Sequence, residues 1–306
     1  MSIICSRVQR LNQALAAPAA ARIIALVAVL ASLAMLAGCQ TDDKAALRTG
    51  VATSPDGVPI AFTVSGRGPG VVLVHCWCGN QSFWADAMAD LARDHCVLAL
   101  DLAGHGQSGR AREDFTMDAF AADALAAMDA AGIPRAVVVG HSMGGTVALA
   151  MAVRAPDRVQ RIVGIDNLHQ IERGFSTEQL DAFMAPFRDD FAANVPGFVR
   201  AMYPADADSA AVARASDVMA ATPPDVGLSA FRNLFAFDLA AAARAYARPL
   251  HLLNDTRNPV AVDQWQAHGV DVRLKTMDDV GHFPMFTVPA EFTRLLRETV
   301  TEAWGE

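Results

Sequence analysis

The 306-residue chain is short of charge. Only 19% of its residues are Asp, Glu, Lys or Arg, and 33 acidic groups outnumber 25 basic ones, for a formal charge of −8. Binding to a phosphate backbone needs clustered Lys and Arg, and no such cluster is present, which argues against a nucleic-acid partner. The glycine-rich loops that cradle dinucleotides or phosphates are also missing, so no cofactor is expected. Cys76-x-Cys78 has no complementary ligand pair nearby in sequence, so no metal is expected either. No internal repeat or low-complexity segment stands out beyond alanine-rich stretches. What the chain has in quantity is apolar bulk, 53% of its residues, enough to bury the core of one large domain or two smaller ones. With so little charge to select it, a substrate or partner should be small and neutral, or unselected by charge.

Residues 1–38 lack acidic groups altogether. Arg7, Arg10 and Arg22 precede the apolar stretch Ile23 to Leu36, the layout of a secretory signal. Fourteen apolar residues are short for a membrane span of roughly twenty. The segment ends in Leu36-Ala37-Gly38-Cys39, which resembles the bacterial lipoprotein box. That resemblance implies cleavage before Cys39 and diacylation of its thiol, so that the membrane is a partner through this anchor. Gln40, where an Asp would signal otherwise, implies by similarity to Gram-negative lipoproteins the outer membrane, facing the periplasm. Residues 39–46 read as a short polar tether.

From residue 47 the pattern is strand, turn, strand: LRTGVAT, SPDG, VPIAFTVSG. GVVLVH, CVLALD, AVVVG and RIVGID follow as short apolar runs suited to buried strands. Helical spacing separates them at 80–92, 117–131 and 143–153. Such alternation predicts an α/β fold, with a mostly parallel sheet covered on both faces. The rhythm stops at 167–247, where helical stretches carry Phe183, Phe187, Phe191, Phe198, Phe231 and Phe235 and are punctuated by prolines 186, 196, 204, 223 and 224. It resumes with PLHLLN, a helix near 260–267, VDVRLKTM and a closing helix from Pro289. The expected organisation is therefore a core of 47–166 and 248–306 with a helical cap, 167–247, inserted between two strands. Part of the cap's apolar stripe should face a ligand cleft between the layers.

A strand that turns at once into a helix leaves its turn residue exposed at the sheet's carboxyl edge, crowded enough to need glycine on both sides. Gly140-His141-Ser142-Met143-Gly144 is such a G-x-S-x-G turn, after Val137-Val138-Val139 and before a helix. The helix start also aims backbone N–H groups at any oxyanion that develops there. Here the chain resembles the α/β-hydrolase fold family, from about Leu47 to its C-terminus, and the resemblance implies a serine nucleophile at Ser142. Its general base would be His282, in Val280-Gly281-His282-Phe283-Pro284 after the last strand. His141 is expected to point away from Ser142, and His75, His105 and His251 to pack at the sheet.

Two residues compete for the third position. Asp255 follows PLHLLN in the D-x-x-x-P form of the family's acid loop and is favoured, although Leu252 stands where a glycine is usual. Asp166 ends RIVGID, where relatives of haloalkane dehalogenase carry the acid. By the same resemblance the backbone N–H groups of Trp77 and Met143 form the oxyanion hole, and Asp101-x-x-Gly104-x-Gly106-x-Ser108 is scaffolding. A serine at 142 disfavours dehalogenase and epoxide hydrolase chemistry, which need a carboxylate there. The implied activity is hydrolysis of small or medium apolar esters through an acyl-enzyme. Amide, lactone or carbon–carbon bond hydrolysis, or non-catalytic ligand binding, are the alternatives.

Cys5 leaves with the signal and Cys39 takes lipid, leaving Cys76, Cys78 and Cys96. Cys96 begins its strand, whereas Cys76 follows the end of a neighbouring one. At about 3.3 Å per residue they lie roughly 15–20 Å apart, beyond the ~7 Å Cα limit for a bridge, so free thiols are expected.

Overall fold

The computed structural model describes residues 47–172 and 175–305. The expected signal segment 1–38, the lipidation residue Cys39 and the tether 39–46 lie outside the described residues. Eight strands form one sheet: β1 (Arg48–Thr53), β2 (Pro59–Ser65), β3 (Gly70–Val74), β4 (Cys96–Leu100), β5 (Ala136–His141), β6 (Val159–Ile165), β7 (Leu250–Asp255) and β8 (Val272–Met277). Their order is β1-β2-β4-β3-β5-β6-β7-β8. β2 runs antiparallel to both its neighbours, and every pairing from β4 through β8 is parallel. β3 and β5 are buried at every position, as their unbroken Val-rich sequences require of strands covered on both faces.

A 3₁₀ turn at Gln81–Trp84 leads into α1 (Ala85–Leu91); α2 (Met117–Ala131) and α3 (Met143–Arg154) complete the first half of the core. The ends of α2 follow from local chemistry. The Thr116 side chain accepts the Ala119 N–H at its start, and Gly132, left-handed at φ 72°, closes its end. Five helices then separate β6 from β7: α4 (Thr177–Asp189), α5 (Phe191–Ala201), α6 (Ser209–Ala220), α7 (Pro224–Ala236) and α8 (Leu239–Tyr246). α8 packs on α3. Pro186 and Pro196, read as breaks, sit inside α4 and α5. An interior proline costs about 3 kcal/mol of helix stability, and burial of Phe187, Phe191, Val195 and Val199 offsets it. After β7 come α9 (Val262–Ala267), α10 (Pro284–Thr287) and the long α11 (Pro289–Gly305). α3 and α11 both pack on β5 and β6.

The register brings the carboxyl ends of five parallel strands together. Val74 pairs with Gly140, Ile165 with His141 and Leu253, and Asp255 with Met277. The chain leaves β3 toward β4 on one side and returns to β5 on the other, so the switch point of the sheet lies between β3 and β5. Crevices at such points are where ligands bind in open α/β sheets. Cys96 pairs with Gly70, at the opposite end of β3 from Cys76, and Cys76, Cys78 and Cys96 are free thiols.

Candidate active site

Ser142 stands between β5 and α3 with φ 52° and ψ −117°, a conformation that a side chain disfavours. The surroundings over-determine it. Its N–H donates to Ile165 O at 3.0 Å, and its carbonyl accepts Gly145 N–H at 3.0 Å. The Asn167 side-chain amide donates to Gly140 O at 2.7 Å and to Ser142 O at 3.2 Å. The flanking glycines are required by close approach. A Cβ on Gly140 would lie 2.2 Å from Gly144 O, and one on Gly144 would lie 2.4 Å from Val74 O. The strand therefore turns into the helix within one residue.

His282 faces Asp166. Its Nδ1 lies 2.5 Å from Asp166 Oδ2, while Oδ1 accepts the Asp255 N–H at 3.1 Å. Asp166 is only 5% exposed. Burial pushes its carboxyl upward, but the His282 hydrogen bond and the fields of His282 and His169 outweigh it and hold the group below the usual carboxylate range. Asp255, favoured from the acid-loop pattern, lines the same cavity but turns its carboxylate to other partners. Its carboxylate accepts the N–H groups of Gly281 at 2.8 Å, and of Val280 and Arg257 at 3.3 Å each. The reason is backbone geometry. Asp166 takes a left-handed turn at φ 41° at the end of β6, while Asp255 is still in register at the end of β7 and meets the chain just before His282 rather than its ring. His141 Nε2–H donates to the carbonyl of His282 at 2.7 Å, tying the residue beside Ser142 to the loop that carries His282.

Trp77 lies in the loop after β3, beside the N-terminus of α3 that carries Met143. The left-handed residue of this loop is Cys78, at φ 57°. His75 braces the loop from below: Nδ1–H donates to Cys76 O at 2.8 Å and Nε2 accepts Leu102 N–H at 3.0 Å, which sets its neutral tautomer. Burial lowers its pKa to about 4. Asp101 accepts the N–H groups of Gln81 and Gln107, holding the neighbouring loops in place.

Ser142, His282 and Asp166 line one cavity of about 630 Å³, with Trp77, Met143 and Cys76 also on its wall. Phe198, Met202, Met219, Phe231 and Phe235, from or beside α5, α6 and α7, close its other side. Two residues that sequence reasoning passed over belong here. Asn167 braces the serine turn, and its position directly after the strand-end Asp166 was the available signal. His169, also on the wall, has Nε2 3.8 Å from Asp166 Oδ1. Asn254 Nδ2 donates to His169 Nδ1 at 3.4 Å, so the ring's proton sits on the nitrogen facing Asp166. Burial lowers the His169 pKa, with Asp166 opposing. Among the described residues no group of three or more His, Cys, Asp or Glu is arranged to hold a metal ion.

The chain is 28% identical over 248 residues to a pimeloyl-[acyl-carrier protein] methyl ester esterase of Nitrosomonas europaea, covering 76% of this chain and 96% of that one. It is 26% identical over 234 residues to the karrikin insensitive 2 receptor IA of Petunia hybrida, covering 72% and 85%. Among solved structures it superposes on an enol-lactonase from Burkholderia xenovorans LB400 with a TM-score of 0.71 at 22% identity, over 82% of this chain and all of that one. A family model for the alpha/beta hydrolase fold matches residues 69–289, a span that begins just before β3, takes in the serine turn and ends beyond His282. By that match and by the sheet described above, the chain belongs to the α/β hydrolase family.

Proposed function

We propose that the protein is a serine hydrolase cleaving small or medium apolar esters, with Ser142 as nucleophile, His282 as base and Asp166 as the acid of the triad. The observation that carries this reading is the 2.5 Å contact of His282 Nδ1 with a buried carboxylate, on the wall of the cavity that Ser142 also lines. A proton on Nδ1, held by Asp166, leaves Nε2 free to take the serine proton. Ser142 Oγ then attacks the carbonyl carbon, and the N–H groups of Trp77 and Met143 receive the oxyanion. His282 returns the proton to the departing alkoxide, giving the alcohol and an acyl-Ser142. Water, deprotonated by His282, releases the acid and regenerates the serine.

The aromatic cap wall suits an apolar acyl group. Relatives named as a methyl ester esterase and an enol-lactonase support oxygen esters, open or cyclic, over amide or carbon–carbon bonds. We further propose that Cys39 is lipidated and holds the enzyme on the membrane, with the outer membrane facing the periplasm as its site. A fluorophosphonate probe should label the purified protein, and Ser142→Ala should abolish both labelling and turnover of p-nitrophenyl esters. If the native protein neither labels nor turns over esters of several chain lengths, ligand binding without catalysis replaces this reading. The relative named as a receptor makes that the second reading.

A further inference from the structure

We infer that the cap positions the oxyanion hole, with Thr222 as the positioning residue, an inference that rests on the serine-hydrolase reading above. The loop carrying Trp77 is held from two sides. At its start, His75 of the core donates to Cys76 O. At its end, the Thr222 hydroxyl, in the turn between α6 and α7, donates to Cys78 O at 3.2 Å. Between them the Trp77 indole N–H donates to Gly227 O of α7 at 2.8 Å. The indole is also met edge-on by Phe187, Phe191, Phe198 and Phe231, with ring centroids 5.3–6.0 Å away. Contact is tight enough that a Cβ on Gly227 would lie 2.5 Å from the Phe191 ring and 3.2 Å from Cys78 Sγ.

One residue thus has its main chain committed to the oxyanion and its side chain committed to the cap. Cys78 holds a positive φ that persists only where the surroundings enforce it, and the Thr222 hydroxyl on its carbonyl is part of that enforcement. Thr222 is 7% exposed and is not among the described residues lining the catalytic cavity. Its effect on turnover must therefore pass through the loop. A donor aimed at the oxyanion acts on the reacting carbonyl, which every ester shares, so loosening it should slow all acyl chains equally.

The test uses the purified protein and p-nitrophenyl esters from acetate to octanoate. Loss of a whole oxyanion donor costs about 10²–10³ in kcat. Thr222→Val, which only loosens one, should lower kcat about tenfold by the same factor at every chain length, with KM within twofold and the pH profile unchanged. Fluorophosphonate labelling of Ser142 should slow by the same factor, and Thr222→Ser should restore both. Trp77→Phe, which keeps a ring but loses the bond to Gly227 O, should slow acetate turnover in the same way and serves if Thr222→Val does not fold. Wild-type kcat in Thr222→Val, a loss that grows with chain length, or a loss confined to KM would overturn the inference while leaving the hydrolase reading intact. Failure of the native protein to label or turn over would remove both.

Discussion

Replacing each of the two strand-end aspartates by asparagine separates their roles. In Asp166 the two carboxylate oxygens have different partners, the His282 ring on Oδ2 and the Asp255 N–H on Oδ1. An asparagine there must turn its NH₂ toward one of these donors. With NH₂ facing His282 at 2.5 Å, the ring proton moves to Nε2 and the lone pair that should take the serine proton is lost. The expected fall in kcat is about 10³–10⁴-fold, or about 4–5.5 kcal/mol of barrier. In Asp255 the carboxylate meets only backbone N–H groups, so Asp255→Asn sets an amide donor against one of them. That leaves a buried donor unmet, at a cost of about 1–3 kcal/mol in stability. Turnover should fall no more than about tenfold, since His282 keeps its contact with Asp166. Initial rates on one p-nitrophenyl ester, with a urea melt of each variant, decide the matter. Equal losses, or a larger kcat loss in Asp255→Asn, would refute the assignment of Asp166 as the acid.

Acid should destabilise the protein well above the carboxylate range. His75, His105 and His141 are at most 1% exposed, and burial lowers them from 6.5 to about 4, 3 and 3. Unfolding lets each bind a proton, so stability falls as pH drops from about 6.5 toward 4. At pH 5 the loss is about 2 kcal/mol for each, or roughly 6 in all, a large share of the usual 5–15 kcal/mol. Asp166, held below the usual carboxylate range, stabilises the fold above its unfolded value of 3.8 and loses that contribution only as pH falls further. An unchanged urea midpoint between pH 7 and pH 5 would contradict the neutral histidines. The thiols should also differ in reactivity. Burial pushes Cys76 up to about 12 and Cys78 upward too, whereas Cys96 is only half-buried. Iodoacetamide at pH 8 should therefore alkylate Cys96 first, and mass spectrometry finding Cys76 modified ahead of it would count against the buried loop.

The sheet was legible because its signals are local. Val71-Val72-Leu73-Val74 and Val137-Val138-Val139 have no polar position to turn outward, which only a strand covered on both faces tolerates, and glycines at 140 and 144 announce a turn that no side chain could enter. The helix at 117–131 follows from its caps and spacing, and the one at 143–154 from its run of small helix-formers. Pro186 and Pro196 misled because burial of the adjacent Phe187, Phe191, Val195 and Val199, which depends on the assembled fold, outweighs the local cost of a proline. The acid was ambiguous for a related reason. Both aspartates end a parallel strand beside the same crevice, and nothing within a few residues of either says which way its carboxylate turns. That was decided by the left-handed backbone at Asp166 and by the path of the loop before His282, more than a hundred residues away, as it comes back to the sheet edge. Periodicity and turn chemistry thus determined which residues reach the edge of the sheet. Which of them touch depended on loop conformations set by long-range packing, and those are a property of the assembled fold.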